Sequence, residues 1–503
     1  MVREVRRQGP GAGRRPGGQS GQGGGGLTTP DPRLEVLELL RRYGWNTTSF
    51  QVLEAGYHYW FTGDRAAAIA YFDTGAWWVA AGAPICDDQR LASVTQAFLQ
   101  AGQAEGRRVS FFGSTRRLVQ ALAHWDHLLV GLEACWNPST WSTDAAVRSQ
   151  VRSQTRRSAR KGVVIRTADP GELDDQTVGR AEAERLMHQW LRGRNMAPLG
   201  FLARLDPFTL SRERRYFLAH QQGRLVGLLA AVPVYTRKGW FLEHLVVEPR
   251  APHGTSEALI DAAMVALEMD GATFASMGMV ALAGVGESAE DADGHPVLRF
   301  LLRNCYHSLN WLYGFQGLRS FRSKFKPRMW EPVYLLAPDR IGPTTLLAVL
   351  DAFAGGHMGR FVAITGHRIL NRGLSRVPGW MWPRAAQALS ALLLPWIGVL
   401  LWVDGQRWFG CDWLGQAWAG FDLLVAGLFA ILAWGLQHKA DFTRILTRLL
   451  LGMVLTDAWL TTSQAVLYHG GGPYNWFEEM GRWAAVGAPW FAVVFIFLLQ
   501  VAN

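Results

Sequence analysis

Four apolar stretches near the C-terminal end constrain this chain most: Ala385–Val403, Leu414–Leu436, Ile445–Ser463 and Trp483–Val501. Each is about long enough to cross a hydrocarbon core of about 30 Å at about 1.5 Å per residue. Trp382, Trp402, Trp408, Trp413, Trp476 and Trp483 stand at their ends, as interfacial aromatics do. Residues 385–503 therefore read as four transmembrane helices rather than as a set of buried core helices. The remainder of the 503 residues must work beside a membrane.

Charge divides the chain at the same place. Residues 385–503 hold five Lys/Arg and seven Asp/Glu, whereas residues 1–384 hold 46 and 34. A basic body thus precedes an apolar anchor. Residues 1–30 contain ten Gly, five Arg and one acid; they bury too little to offset their ordering entropy and read as a disordered basic arm, not a signal peptide. The loop after the second span carries His438, Lys439 and Arg444, and the stretch before the first carries Arg360, Arg368, Arg372, Arg376 and Arg384. Positive charge on these segments predicts that the body and the C-terminus face the cytoplasm, with 360–384 lying against anionic lipid. Asp422 and Asp457 fall inside apolar spans and are functional candidates by position, although two acids make a poor transporter. Four scattered cysteines without a CxxC predict neither a disulfide framework nor a metal site.

The body reads as α/β. A helix over 31–44 is followed by strands at Tyr57–Phe61, Ala66–Phe72 and Trp77–Ala81, a helix at Leu91–Gln103, and strands at Arg108–Phe112 and His127–Gly131 around a short helix. Residues 132–340 repeat that style. Helices are expected at Thr143–Lys161, Gly179–Arg192, Ser256–Asp270 and Leu298–Leu312. A meander is expected over Tyr216–His220, Leu225–Val234 and Gly239–Val247, with strands at Thr273–Met277 and Pro332–Ala337. The similarity suggests a duplication. The expected units are 1–30 (arm), 31–130 (first half), 131–340 (second, catalytic half), 341–384 (basic juxtamembrane linker) and 385–503 (membrane domain).

No GxSxG, Walker loop or HExxH is present. Three features carry chemistry instead. The strand Trp240–Glu248 feeds a helix through Arg250-Ala-Pro-His-Gly-Thr255, a geometry that can hold an anion at the helix start. GNAT-type acetyltransferases bind the coenzyme A pyrophosphate there, but here the glycine spacing differs and Pro252 removes a donor. The stretch 315–332 alternates aromatics with Arg319, Arg322, Lys324, Lys326 and Arg328, a pattern suited to phosphate or to a solvated face. Arg148, Arg152, Arg156, Arg157, Arg160 and Lys161 mostly share one helix face; like charges at that spacing favour an anionic partner such as a nucleic-acid backbone or lipid headgroups.

Together these segments resemble the catalytic domain of phosphatidylglycerol lysyltransferase and related aminoacyl-lipid synthases, over about Leu128 to Pro338. Gly131-Leu-Glu-Ala with Arg156-Arg-Ser-Ala-Arg-Lys-Gly162, Trp240-Phe-Leu-Glu with Leu259-Ile-Asp-Ala-Ala-Met, and Leu312-Tyr-Gly-Phe-Gln-Gly-Leu-Arg with Lys324-Phe-Lys-Pro and Trp330-Glu-Pro-Val-Tyr carry the resemblance. It implies two tandem GNAT-like folds, here followed rather than preceded by membrane helices. It also implies transfer of an aminoacyl group from aminoacyl-tRNA to the hydroxyl of a membrane phospholipid. Such a donor ester is already activated, so no cofactor is expected. Glu243 would hold the amino acid's ammonium and His244 act as base or orienter. Adjacent strand residues point to opposite faces, however, so both can line one pocket only across a bulge. Lys324, Lys326, Arg328, Arg319 and His253 are candidate substrate-binding residues; Arg152, Arg156, Arg157, Arg160 and Lys161 are candidate tRNA contacts. Glu243→Ala is expected to abolish transfer without unfolding the protein. Two other readings stay open: an acyl-CoA-dependent N-acyltransferase, and a degenerate GNAT-like module that only binds lipid.

Overall fold

The computed structural model describes residues 31–192, 199–283, 315–374, 377–409, 411–467 and 476–502. The arm expected at 1–30 and the helix expected at Leu298–Leu312 lie outside them.

The first half opens with α1 (Pro32–Tyr43). Asp31 caps it by accepting from Arg33 N, Pro32 occupies a first-turn position, and Gly44 N closes the end on Leu40 O. A 3-10 turn (Thr47–Leu53) leads to the antiparallel strands β1 (His58–Phe61), β2 (Ala68–Asp73) and β3 (Trp77–Ala81). Then come α2 (Leu91–Ala104), β4 (Arg108–Thr115) parallel to β3, α3 (Arg116–Ala121) and β5 (Asp126–Trp136).

The second half repeats this order. After α4 (Ala145–Arg160), capped by Asp144, comes the meander β6 (Val163–Thr167), β7 (Arg215–Gln221), β8 (Arg224–Val234) and β9 (Gly239–Val247), with α5 (Val178–Arg192) between β6 and β7. Gln222 and Gly223, both left-handed, make the tight β7–β8 turn. α6 (Thr255–Met269) crosses to β10 (Phe274–Ala281), parallel to β9, and α7 (Phe315–Ser323) precedes β11 (Met329–Ala337). The second half adds a strand, β6, and a helix, α5, to the order of the first.

Among the described residues, eleven strands form one sheet, in the order β1-β2-β3-β4-β11-β5-β10-β9-β8-β7-β6. The halves exchange their last strands. β11 pairs with β4 of the first half, while β5 pairs with β10 of the second. The division expected at 130/131 falls inside β5, a strand both halves share. β8 lies deep in the sheet and is buried along nearly its whole length, which fits its unbroken apolar run.

The stretch expected as a linker holds two helices, α8 (Pro343–Phe353) and α9 (Met358–Leu374). The membrane domain follows as α10 (Met381–Trp402), the short α11 (Gly405–Phe409), α12 (Asp412–His438), α13 (Thr443–Leu467) and α14 (Trp476–Ala502). Four of these are long and apolar enough to cross a membrane. Phe429, Leu432, Leu450 and Ile496 form their shared core, while Leu392, Leu401 and Ile445 point outward. Asp422 is buried among the helices, and Asp457 Oδ1 accepts from Thr461 Oγ1 at 2.9 Å.

Candidate active site

The parallel strands β9 and β10 pair over three positions only, Phe274↔Gly239, Ala275↔Trp240 and Ser276↔Phe241. Beyond Phe241 they part, and β9 continues paired to β8 alone. Its register on β8 steps from Ala231↔Leu242 to Ala230↔His244, so Glu243 is the extra residue of a bulge. Phe241 and Val246 pack on one side of the sheet, Leu242 and Val247 on the other. The bulge turns Glu243 and His244 to the same side, with His244 Nε2 3.2 Å from Glu243 Oε2. The geometric condition set by the sequence is met.

Three further groups close on this pair. Arg214, just before β7, donates from Nη1 to Glu243 Oε2, and its Nη2 lies 3.5 Å from Glu54 Oε1. Its Nε donates to Thr209 O at 2.8 Å, and its guanidinium lies 5.2 Å from the Phe50 ring centroid. Glu54 follows the first-half 3-10 turn, and Tyr57 is three residues on. The site is therefore built by both halves. The side chains of Arg214 and Glu54 are fully buried and that of Glu243 is 1% exposed.

This burial dominates the electrostatics. It pushes the Glu54 carboxyl well above the usual carboxylate range, and Glu243 adds to the rise against the pull of Arg214. Burial drives the His244 imidazole down, opposed by Glu243, so the ring is neutral at pH 7. It works against the Arg214 charge too, but Glu243 and Glu54 outweigh it and raise that group. The Tyr57 hydroxyl is pushed far up by burial.

The bonding is incomplete. Among the described residues, Glu54 Oε2, Glu243 Oε1, His244 Nε2 and the Tyr57 hydroxyl are buried without a hydrogen-bond partner. One oxygen or nitrogen from each of Glu54, Glu243 and His244 lies within 4.8 Å of the others. Three acceptors so close suit the three hydrogens of an ammonium. They also resemble a metal-ligand set, but Arg214 already brings a fixed positive charge to both carboxylates. That charge repels a dication more strongly than a monocation. A groove of about 840 Å³, lined in part by Leu37, Arg41, Phe208, Leu210 and Glu213, runs outside the loop that carries Arg214.

The other expected residues lie elsewhere. Arg152, Arg156, Arg157, Arg160 and Lys161 are all exposed along α4, and among the described residues no carboxylate pairs with them. Arg148 departs from that face: its guanidinium holds Asp261 of α6 at 2.5 Å. His253 is exposed in the β9–α6 turn. Lys324 sits 3.6 Å from Glu257 in the first turn of α6, Lys326 and Arg328 are exposed beyond it, and Arg319 is half-buried on α7. Among the described residues no hydrogen bond or ion pair joins His253, Lys324, Lys326 or Arg328 to the Glu243 cluster. α4, α6 and Phe325 share a core with Leu242, on the face of the sheet away from Glu243.

The start of α6 is not an open anion cradle. A Cβ on Gly254 would meet Gln154 O of α4 at 2.2 Å, so the α4 backbone lies on the turn where a GNAT fold would receive pyrophosphate. That contact disfavours the acyl-CoA reading. Glu54, Arg214 and Tyr57 escaped the sequence analysis: Glu54 and Arg214 are 160 residues apart, and no spacing rule links them.

Residues 37–337 match the profile of the family described as phosphatidylglycerol lysyltransferase, C-terminal. The chain is similar to the phosphatidylglycerol lysyltransferase of Bacillus subtilis (strain 168), 23% identical over 61% of this chain and 35% of that protein. It is also similar to the lysylphosphatidylglycerol biosynthesis bifunctional protein LysX of Gordonia bronchialis, 25% identical over 58% and 26%. The structure of L-PGS from Bacillus licheniformis aligns with a TM-score of 0.55 at 23% identity, covering 66% of this chain and 97% of that one, which shows a shared fold. The chain thus spans about a third or less of the length of these curated relatives. Because the matched segment is more than half of the chain, this protein belongs to the phosphatidylglycerol lysyltransferase C-terminal domain family.

Proposed function

We propose that this protein is an aminoacyltransferase that moves an aminoacyl group from aminoacyl-tRNA to a hydroxyl of a membrane phospholipid such as phosphatidylglycerol. The observation that carries the reading is a set of buried acceptors without a partner among the described residues: Glu243 and His244 on the bulged β9 where the sheet opens, and Glu54 brought to them from the first half. They suit the ammonium of an aminoacyl ester. Burial disfavours the charged forms of Glu54 and His244, while Glu243 and Arg214 offset each other, and an entering ammonium favours the ionised form of Glu54.

In the reaction the phospholipid hydroxyl attacks the ester carbonyl carbon, and the tRNA ribose oxygen leaves with a proton. Holding the two reactants together supplies much of the rate gain. A neutral imidazole has one acceptor nitrogen, so with that atom on the ammonium His244 orients the amine, and the proton lost by the attacking hydroxyl passes to the leaving ribose oxygen. The unpaired cations of α4 suit the tRNA backbone, and Lys324, Lys326 and Arg328 suit its acceptor end or the lipid phosphate. Orientation follows from loop charge: the catalytic body faces the cytoplasm, on the inner membrane.

The test uses the full chain in nanodiscs containing phosphatidylglycerol, supplied with tRNA bearing a radiolabelled amino acid. Label is expected in the lipid phase, and ribonuclease pretreatment should prevent it. Label transferred from acyl-CoA instead, or none from any charged tRNA, contradicts the reading.

A further inference from the structure

We propose that α8 and α9 form a seat that lies flat against the anionic headgroups of the leaflet facing the catalytic body. The inference rests on α10 and α12–α14 being membrane spans, and it fixes how the body stands on them. α8 is bolted to the body on one side only. Ala348, Val349 and Ala352 are buried in the first-half core, and the Phe353 ring packs on Phe112 at 5.2 Å and Phe201 at 5.3 Å. On its other side Leu347 and Leu350 are 59% and 50% exposed, one helical turn apart.

The chain then bends by 67° into α9. Gly355 and Gly356 both adopt left-handed backbone there, which a side chain would strain. The bend is tied: Met358 N donates to Asp351 Oδ1 at 3.0 Å and Gly356 N to Asp351 O at 2.8 Å. By composition the two helices together resemble a broken span. α8 cannot enter a bilayer, however, without tearing Ala348, Val349, Ala352 and Phe353 from the core.

Charge names the occupant of the exposed face. From His357 to Arg384 the chain carries five arginines and no carboxylate. Arg360 and Val362 are both exposed in the first turns of α9. The segment runs on to Trp380, exposed, with the Arg384 guanidinium 4.6 Å from its ring centroid at the start of α10. Exposed leucines, arginines without acids and a flanking tryptophan, continuous with a span, suit the boundary between headgroups and acyl chains of an anionic leaflet.

The test uses the full chain in nanodiscs, in a Cys305→Ser, Cys411→Ser background that leaves the buried Cys86 and Cys135. An environment-sensitive label is placed at Leu350→Cys, Val362→Cys, Leu392→Cys in α10 and Val164→Cys in β6. Lipids spin-labelled at the headgroup or deep in the chain serve as quenchers. In phosphatidylglycerol-containing discs, labels at 350 and 362 should fall to half intensity or less with the headgroup quencher. They should respond weakly to the deep one, and recover when all lipid is zwitterionic. The label at 392 should answer the deep quencher and that at 164 neither. Labels at 350 and 362 behaving like 164, or like 392, overturn the seat. Loss of deep quenching at 392 overturns the spans beneath it.

Discussion

The two halves of the body share an order of elements and differ at the place where their parallel strands part. In the first half, β3 and β4 stay paired from Trp77↔Arg108 to Ala81↔Phe112. Gly82 N then donates to Phe112 O at 2.7 Å, Ser114 Oγ to Gly82 O at 2.9 Å and Asn46 Nδ2 to Gly113 O at 3.4 Å. Polar side chains sew that opening shut. In the second half, pairing stops at Ser276↔Phe241, and a bulge turns Glu243 and His244 into the space beyond. One half closes its opening with hydrogen bonds, and the other places buried acceptors there that lack a partner among the described residues. The first half still contributes Glu54 and Tyr57, so its role is to complete its neighbour's site.

The sharpest way to break this contrast is to remove Glu243. Its burial beside Arg214 revises the expectation that Glu243→Ala leaves folding untouched. Uncovering a buried guanidinium costs about 3–5 kcal/mol, so denaturant unfolding should show that loss along with the loss of transfer. An unchanged unfolding midpoint would deny that the cluster is a buried ion network.

Reversing charge on α4 tests the opposite face. Arg152→Glu, Arg156→Glu and Arg160→Glu together should weaken tRNA binding by one to two orders of magnitude. They should also make the log–log salt slope shallower by about two to three. Binding with an unaltered slope would mean that α4 does not meet the phosphates.

The pH dependence of stability separates Glu54 from His244. The Glu54 carboxyl is raised in the folded state, so its contribution is complete below about pH 4.5 and is lost as pH rises through the folded value. His244 is lowered, so stability is held above about pH 6.5 and falls as pH drops towards its folded value. Glu54→Gln should flatten the alkaline limb and leave the acid limb in place. Equal flattening of both limbs would contradict the assignment.

The smallest effect belongs to the sewn half. Ser114→Ala removes a hydrogen bond and should cost about 1 kcal/mol of stability with transfer per folded molecule unchanged. A loss of transfer would show that the first opening also takes part in the reaction.

Much of this architecture was legible from periodicity. β9 runs Gly239–Val247 as expected, three of the four apolar helices contain their expected stretch, and the first ends at Trp402, one residue short of the expected Val403. Local pattern reports which residues are helical or extended, and it reported the duplication. It could not report the exchange of β5 and β11, because strand partners are chosen by tertiary packing. Glu243 and His244 were chosen by residue type and context, yet the bulge that makes them neighbours is a register shift against β8, invisible along β9 alone. Arg214 was one arginine among many until burial separated it from the surface. The basic face of α4 was visible from spacing, but only packing shows that Arg148 turns away to Asp261.

The central claim is that the bulged Glu243, with Glu54 and His244, seats the aminoacyl group. Its most direct test is the mass spectrum of lipids from cells producing the intact chain or its near-isosteric Glu243→Gln variant at matched membrane levels. The account predicts an aminoacylated phospholipid with the first and at least about a thirtyfold loss with the second, the equivalent of some 2 kcal/mol for one buried charge contact. Equal amounts of that lipid from both would contradict it.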